Sequence, residues 1–119
     1  MTRDKNPKRG DIWLVEFEPQ IASEIKKTRP AVVVSFGGLD TEKTRIVVPI
    51  RDRKEHHFRI SFFVPISPTN NNGLSKDSTI DCIQIKSFDL LRFKKKIGKV
   101  TTEQLDEITK LIAIEVGYI

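Results

Sequence analysis

The sequence predicts a mainly β (α+β) domain, a compact β-barrel or curled sheet of about six strands with one amphipathic helix packed on it. Three observations carry this expectation. Short runs rich in β-branched and aromatic residues recur at regular spacing, clusters of Gly, Pro, Asn and Ser separate them, and only residues 101–117 repeat apolar side chains at three- and four-residue steps. All 119 residues are read as a single domain, because that length supports one hydrophobic core and not two. Residues 1–8 are expected to form a flexible tail.

The first strand is "DIWLVEF" (11–17), which follows Gly10 and is ended by Pro19. A polar segment to Lys27 reads as a loop. Pro30 opens a second strand, "AVVVS" (31–35), and forces Arg29 to be extended, since the residue before proline is barred from the α region. "GGLD" (37–40) is turn chemistry, and "RIVVPI" (45–50) is the third strand. "FRISFFVPI" (58–66) alternates well enough for a fourth, "SPTNNNGLSKD" (67–77) is a loop of turn formers, and "STIDCIQI" (78–85) is a fifth. A short turn through "SFDLL" leads to "KKKIGKV" (94–100), a sixth strand whose lysines suit a sheet edge. In the helix, Thr101 and Gln104 have capping-box spacing, and Leu105, Ile108, Leu111, Ile112 and Val116 form one apolar stripe that Gly117 stops.

The hydrophobic share of 38% and charged share of 31% describe an ordinary soluble protein, and no apolar run approaches the ~20 residues of a membrane span. The N-terminus lacks the apolar core of a signal peptide, so a cytoplasmic location is expected. Cys82, the only cysteine, excludes an internal disulfide and a zinc module, and reads as a small buried hydrophobe. Trp13 and Phe17 share one face of the first strand and are expected in the core. A net charge of +5 points weakly to an anionic partner.

The sequence contains no Gly-rich phosphate loop, paired-histidine helix or serine elbow. Instead, charge gathers at strand ends: Glu24, Lys26, Lys27 and Arg29 before the second strand, and "RDRKEHH" (51–57) after the third. Consecutive strands are usually neighbours, which brings the two groups face to face. Such a set suits RNA cleavage without a metal or other cofactor. The 2′-hydroxyl attacks its own phosphate, so a base, an acid and cations for the phosphorane are required. Glu24 fits the base and Arg29 the electrostatic clamp, with Arg51, Arg53 and the pair His56 and His57 as further candidates. On an extended segment two consecutive histidines point opposite ways, so only one faces a given site. The plainer alternative for both clusters is a solvated loop.

Several stretches in order, "KRGDIWLVEFEP", "SEIKKTRPAVVVS", "RIVVPI", "GLSKDSTIDCIQIKSFD" and "TTEQLDEITKLIAIEVG", together resemble the MazF/PemK family of toxin endoribonucleases, from about Lys8 to Gly117. The resemblance implies a homodimer of small SH3-like barrels that cleaves single-stranded RNA, often mRNA, without metal, and that a small antitoxin holds inactive. It places the family's arginine before proline on Arg29, its loop glutamate on Glu24, with Ser23 and Thr28 in the same segment, and its glutamine on Gln84. Two departures stand out. Many members follow the third strand with a catalytic threonine or serine, and here that place holds Arg51, which cannot exchange protons near neutral pH. An arginine and aspartate of another branch would fall on Asp81 and Ile83 and are not reproduced. The rival reading is therefore a member of the same fold that grips RNA, DNA or an antitoxin without cutting, or a gyrase-poison-like toxin; a Trp near the end of the chain, which that poison uses, is missing from "IAIEVGYI".

Overall fold

The computed structural model describes residues 5–17, 28–37 and 43–118. Its seven strands are β1 (Asp11–Glu16), β2 (Thr28–Val33), β3 (Thr44–Asp52), β4 (Phe63–Ile66), β5 (Ser78–Asp81), β6 (Lys86–Asp89) and β7 (Phe93–Lys99), followed by helix α1 (Thr102–Glu115). They form one antiparallel sheet in the order β4-β5-β3-β2-β1-β7, with β6 also pairing β3. The mainly β fold with a closing helix is as expected, but the sheet has seven strands and its path is open, since β4 and β7 are its two ends. Long β3 is the hub: Thr44–Val47 pair with β6, Val47–Pro49 with β2, and Ile50–Asp52 with β5. Register shifts between β1 and β7 add local twist and help curl the sheet.

Side chains alternate between two cores. On one face Ile12, Val32, Val48, Ile50, Val64, Ile66, Ile80 and Cys82 are buried together with Val100 and with Ile108 of α1. On the other Trp13, Val15, Ala31, Val33, Val47 and Phe93 form a smaller cluster, with Phe17 packed against it and Trp13 set edge-on to Phe93. Asp11 helps fix the start of β1, accepting from Lys8 N at 2.9 Å and from Trp13 Nε1 at 3.2 Å. The N-terminal residues 5–8 are tied down: Pro7 is buried, and Arg45 Nε donates to its carbonyl at 2.9 Å.

The capping box of α1 forms as the spacing predicts, with Gln104 N donating to Thr101 Oγ1 and Thr101 N to Gln104 Oε1. Leu105, Ile108, Leu111 and Ile112 face the sheet, whereas Val116 at the C-cap is 68% exposed, one turn beyond the packed part of the stripe. Gly117, at φ +87°, ends the helix in a left-handed turn that a side chain would strain.

Two strand expectations need correction. Residues 58–66 do not form one strand: Glu55–Arg59 make a 3-10 turn and β4 starts only at Phe63. The strand expected over 78–85 stops at Asp81, whose Oδ1 accepts from Ile83 N at 3.0 Å and bends the chain, and part of "SFDLL" becomes β6. Loop 67–77 is organised by buried Asn72. Its Oδ1 accepts from Thr69 N and Leu74 N, and its Nδ2 donates to Ser67 O. The loop lies directly on β7, where a Cβ at Gly73 would run into the Ile97 backbone and one at Gly98 into that of Asn71 and Asn72.

Candidate functional site

Ala31 pairs with Pro49 at the end of the β2–β3 ladder, and Arg29 and Arg51, each two residues beyond it, border the same two hollows. Both side chains lie on the face of the smaller core, because Arg29 shares the parity of Ala31 and Arg51 that of Pro49. They form a ridge between two hollows. One, of about 500 Å³, is bounded by Arg29, Arg51, Asp81, Gln84 and Lys86 with Phe17 and Pro49 as its apolar walls. The other, of about 660 Å³, runs from the same two arginines to Lys54 and to Gly73–Lys76 of the organised loop.

Two adjacent guanidiniums repel, and Asp81 offsets this. Its side chain is only 2% exposed, and its Oδ2 lies 3.1 Å from Arg51 Nη1. Arg51 itself remains 46% exposed, so one arm of its fork is held by the protein while the remaining donors face the hollows. Among the described residues Arg29 has no ion-pair partner and is exposed. The arrangement is two cations on neighbouring strands, one of them braced by Asp81, with a basic approach from Lys86 and Lys54, suited to the non-bridging oxygens of a phosphodiester.

The remaining expected site residues divide. Ser23, Glu24, Lys26 and Lys27 lie outside the described residues. Thr28 is exposed at the start of β2 and borders the larger hollow, and Gln84 is exposed in the turn after β5, bordering the smaller. Arg53 is engaged by the protein, donating to Ser78 O and Ile66 O at 3.1 Å each, with Asp77 at 3.7 Å. His56 is exposed and His57 is buried, so only one of the two imidazoles meets solvent.

His57 accepts the Lys54 N–H at Nδ1 and places the same nitrogen 3.0 Å from Thr79 Oγ1. Burial, then the charges of His56 and Arg51, hold its pKa below the ordinary 6.5. Burial, reinforced by Asp81, pushes the Cys82 thiol up to about 12, which leaves it un-ionised and unreactive near neutral pH. Among the described residues no group of three His, Cys, Asp or Glu side chains is arranged to hold a metal ion. Sequence reasoning missed Asp81, Lys86 and Pro49 as parts of the site. Asp81 becomes legible only once the β3–β5 register is known, which puts it on the same face as Arg51.

Residues 8–116 match the family model described as PemK-like, MazF-like toxin of type II toxin-antitoxin system. Endoribonuclease MazF9 of Mycobacterium tuberculosis is 35% identical over 113 residues, covering 87% of this chain and 93% of the relative. Endoribonuclease MazF of Staphylococcus saprophyticus is 26% identical over 110 residues, covering 92% and 91%. Among solved structures, a MazE-MazF crystal structure (Form-III) from Deinococcus radiodurans contains a chain that superposes with a TM-score of 0.72 at 20% identity, over 95% of this chain and 98% of that one. A mycobacterial endoribonuclease in complex with its cognate antitoxin gives 0.71 at 16% identity, over 96% and 98%. These structural likenesses are likenesses of fold.

Proposed function

The chain belongs to the PemK-like, MazF-like toxins of type II toxin–antitoxin systems, and on that premise we propose that it is a metal-independent endoribonuclease working at the ridge formed by Arg29 and Arg51. That it is an endoribonuclease toxin follows from its relatives, which bear that name. The observation that carries the choice of site is that Arg29 on β2 and Arg51 on β3 both border the same two hollows.

The substrate is single-stranded RNA, cut at short sequences. The 2′-oxygen attacks the adjacent phosphorus, the bond to the 5′-oxygen breaks, and the products are a 2′,3′-cyclic phosphate and a 5′-hydroxyl. Arg29 and the free donors of Arg51 bind the non-bridging oxygens, whose charge grows in the phosphorane, so their grip tightens toward the transition state. Arg51 supplies charge where many relatives supply a hydroxyl, so proton transfer falls to other groups. Glu24 takes the 2′ proton, and among the described residues His56 is the imidazole exposed to solvent for protonating the leaving oxygen. Gln84, Thr28 and Lys86 line the approach of the strand, and Ser23, Lys26 and Lys27 are proposed as further RNA contacts.

An antitoxin is the protein partner, as for the mycobacterial relative solved with its own. It inhibits by covering the groove, and the active form is a homodimer in the cytoplasm. No helix of the described residues is long and apolar enough to cross a membrane.

Incubation of the purified chain with a long single-stranded RNA in EDTA tests the proposal. Discrete fragments ending in cyclic phosphate are expected, and their formation should fall about 10²–10³-fold with Arg29→Ala. Folded, antitoxin-free protein that yields no fragments overturns the catalytic reading. Retention of RNA without cutting would favour a gripping protein, the reading suggested by Arg51 in the hydroxyl's place.

A further inference from the structure

We propose that Asp81 is a positioning residue of the cleavage site: its two carboxylate oxygens tie Arg51 and the turn that presents Gln84 into one unit, and its charge keeps Arg51 from gripping phosphate in unproductive poses. The proposal rests on the RNA-cleaving reading above.

Asp81 reaches both places because of where β5 ends. Arg51 faces Thr79 across β3 and β5, so Asp81, two residues further on, stands diagonally from Arg51 on the same face. Its Oδ2 lies 3.1 Å from Arg51 Nη1. Its direct partner on β4 is Phe63, whose ring centre is 5.7 Å from the Arg51 guanidinium. A carboxylate on one side and a ring on another leave that guanidinium little freedom to turn. Oδ1 has a second task, accepting from Ile83 N at 3.0 Å. Ile85 N then donates to Ile83 O at 3.0 Å, so the backbone is tied on both sides of Gln84, which borders the smaller hollow.

The charge of Asp81 acts alongside its bonds. Among the described residues lining the smaller hollow it is the one acid, against Arg29, Arg51 and Lys86. A phosphate that approaches Arg51 therefore competes with a carboxylate already bound there, and only the donors that Asp81 does not hold remain open to it. The competition weakens binding of RNA as such while fixing the direction from which Arg51 meets the phosphorane. Giving up ground-state affinity for orientation favours kcat.

Asp81→Asn separates the two oxygens, since it keeps an acceptor for Ile83 N and removes the charge. Full-length wild type and variant are compared by fluorescence anisotropy on a 2′-O-methylated, uncleavable single-stranded RNA, and by steady-state kinetics on the cleavable strand. The variant should bind the uncleavable RNA about 3-fold more tightly. Its log K should fall more steeply with log salt, by about 0.7, for one further phosphate held. Its kcat should drop about 10-fold or more while KM also falls. Cut-site preference should stay that of the wild type in Asp81→Asn, whereas Asp81→Ala, which also loses the Ile83 bond, should cut at more sites. A residue that merely supports the fold would instead weaken binding and cleavage together. Asp81→Asn that is folded by circular dichroism and binds no more tightly than a cleaving wild type, with an unchanged salt slope, overturns the proposal and leaves the RNA-cleaving reading intact. Wild-type cut-site preference in folded Asp81→Ala overturns the tie to Gln84. Wild-type protein that neither binds nor cuts RNA overturns both readings.

Discussion

Ile50 and Arg51 are consecutive on β3, yet Ile50 packs into the helix-side core while Arg51 stands half-exposed on the other face beside Arg29. The helix-side face is apolar from Ile12 to Ile108, and its side chains are held by mutual packing. The opposite face is apolar only around Trp13 and Phe93; toward the ends of β2 and β3 it becomes a set of cations steadied by one buried carboxylate. The difference shows how a small sheet can separate tasks by parity alone. One face supplies stability, and alternate residues of the same strands supply a charged surface that would be unstable as a core.

Substitutions should therefore separate by face. The largest expected effect is on the helix side, where Ile108→Ala should cost about 2–5 kcal/mol of stability through the cavity it leaves. Denaturant unfolding reads this, and the protein that remains folded should cut RNA at the wild-type rate. Arg29→Ala should do the reverse, lowering cleavage about 10²–10³-fold, as expected for one phosphorane-stabilising donor. Its unfolding midpoint should stay near wild type, because Arg29 is exposed and belongs to neither core cluster. A loss of stability comparable to that of Ile108→Ala would break the separation.

Asp81→Asn sits between the two cases. It preserves an acceptor for Ile83 N but removes the charge facing Arg51, and since Arg51 is partly solvated the loss should be modest, about 1 kcal/mol. Cleavage should fall with it. Arg51→Thr restores a hydroxyl where many relatives have one, but strands the buried Asp81 carboxylate. A double-mutant cycle should therefore show Arg51→Thr better tolerated when Asp81 is Asn, and additive effects would mean that the pair does not act as a unit.

The smallest expected effect is pH-dependent. His57 has a folded pKa below its ordinary value of 6.5, so the unfolded chain takes up the proton first. Its contribution is fully present above about pH 6.5 and is lost as pH falls from there through the lowered folded value. The urea midpoint should drop as pH is taken below about 6.5, and His57→Asn, which keeps an acceptor for Lys54 N–H, should flatten that drop. An unchanged pH profile in the variant would mean that another group is responsible.

Much of this was legible in the sequence where local signals agreed. β1, the centre of β3 and α1 carry strong periodicity and explicit caps, and they formed as the patterns predict. The errors lie where a side chain captured the backbone. Asp81 takes the Ile83 N–H and ends β5, and His57 takes the Lys54 N–H and winds 55–59 into a turn; both compete with a sheet ladder through contacts that apolar alternation does not encode. In the site, Arg29 was legible because Pro30 fixes its backbone. Its relation to Arg51 followed from strand adjacency, but the bracing of Arg51 by Asp81 depends on a register between strands far apart in sequence. Nothing local signals it.

The backbone crossing at Gly73 and Gly98 bears on how the groove can change. The far wall of the larger hollow, Gly73–Lys76, is pressed onto β7 by main chain and held open by Asn72, and to this frame the Lys76 side chain adds only an exposed ion pair with Asp52 at 3.1 Å. Those two positions are a tunable lining on a rigid frame. On the RNA path proposed above, variation there should retune which sequence is admitted while the glycines and Asn72 keep the mould, so a selection for new cleavage specificity is best directed at 75 and 76 and kept away from 72, 73 and 98.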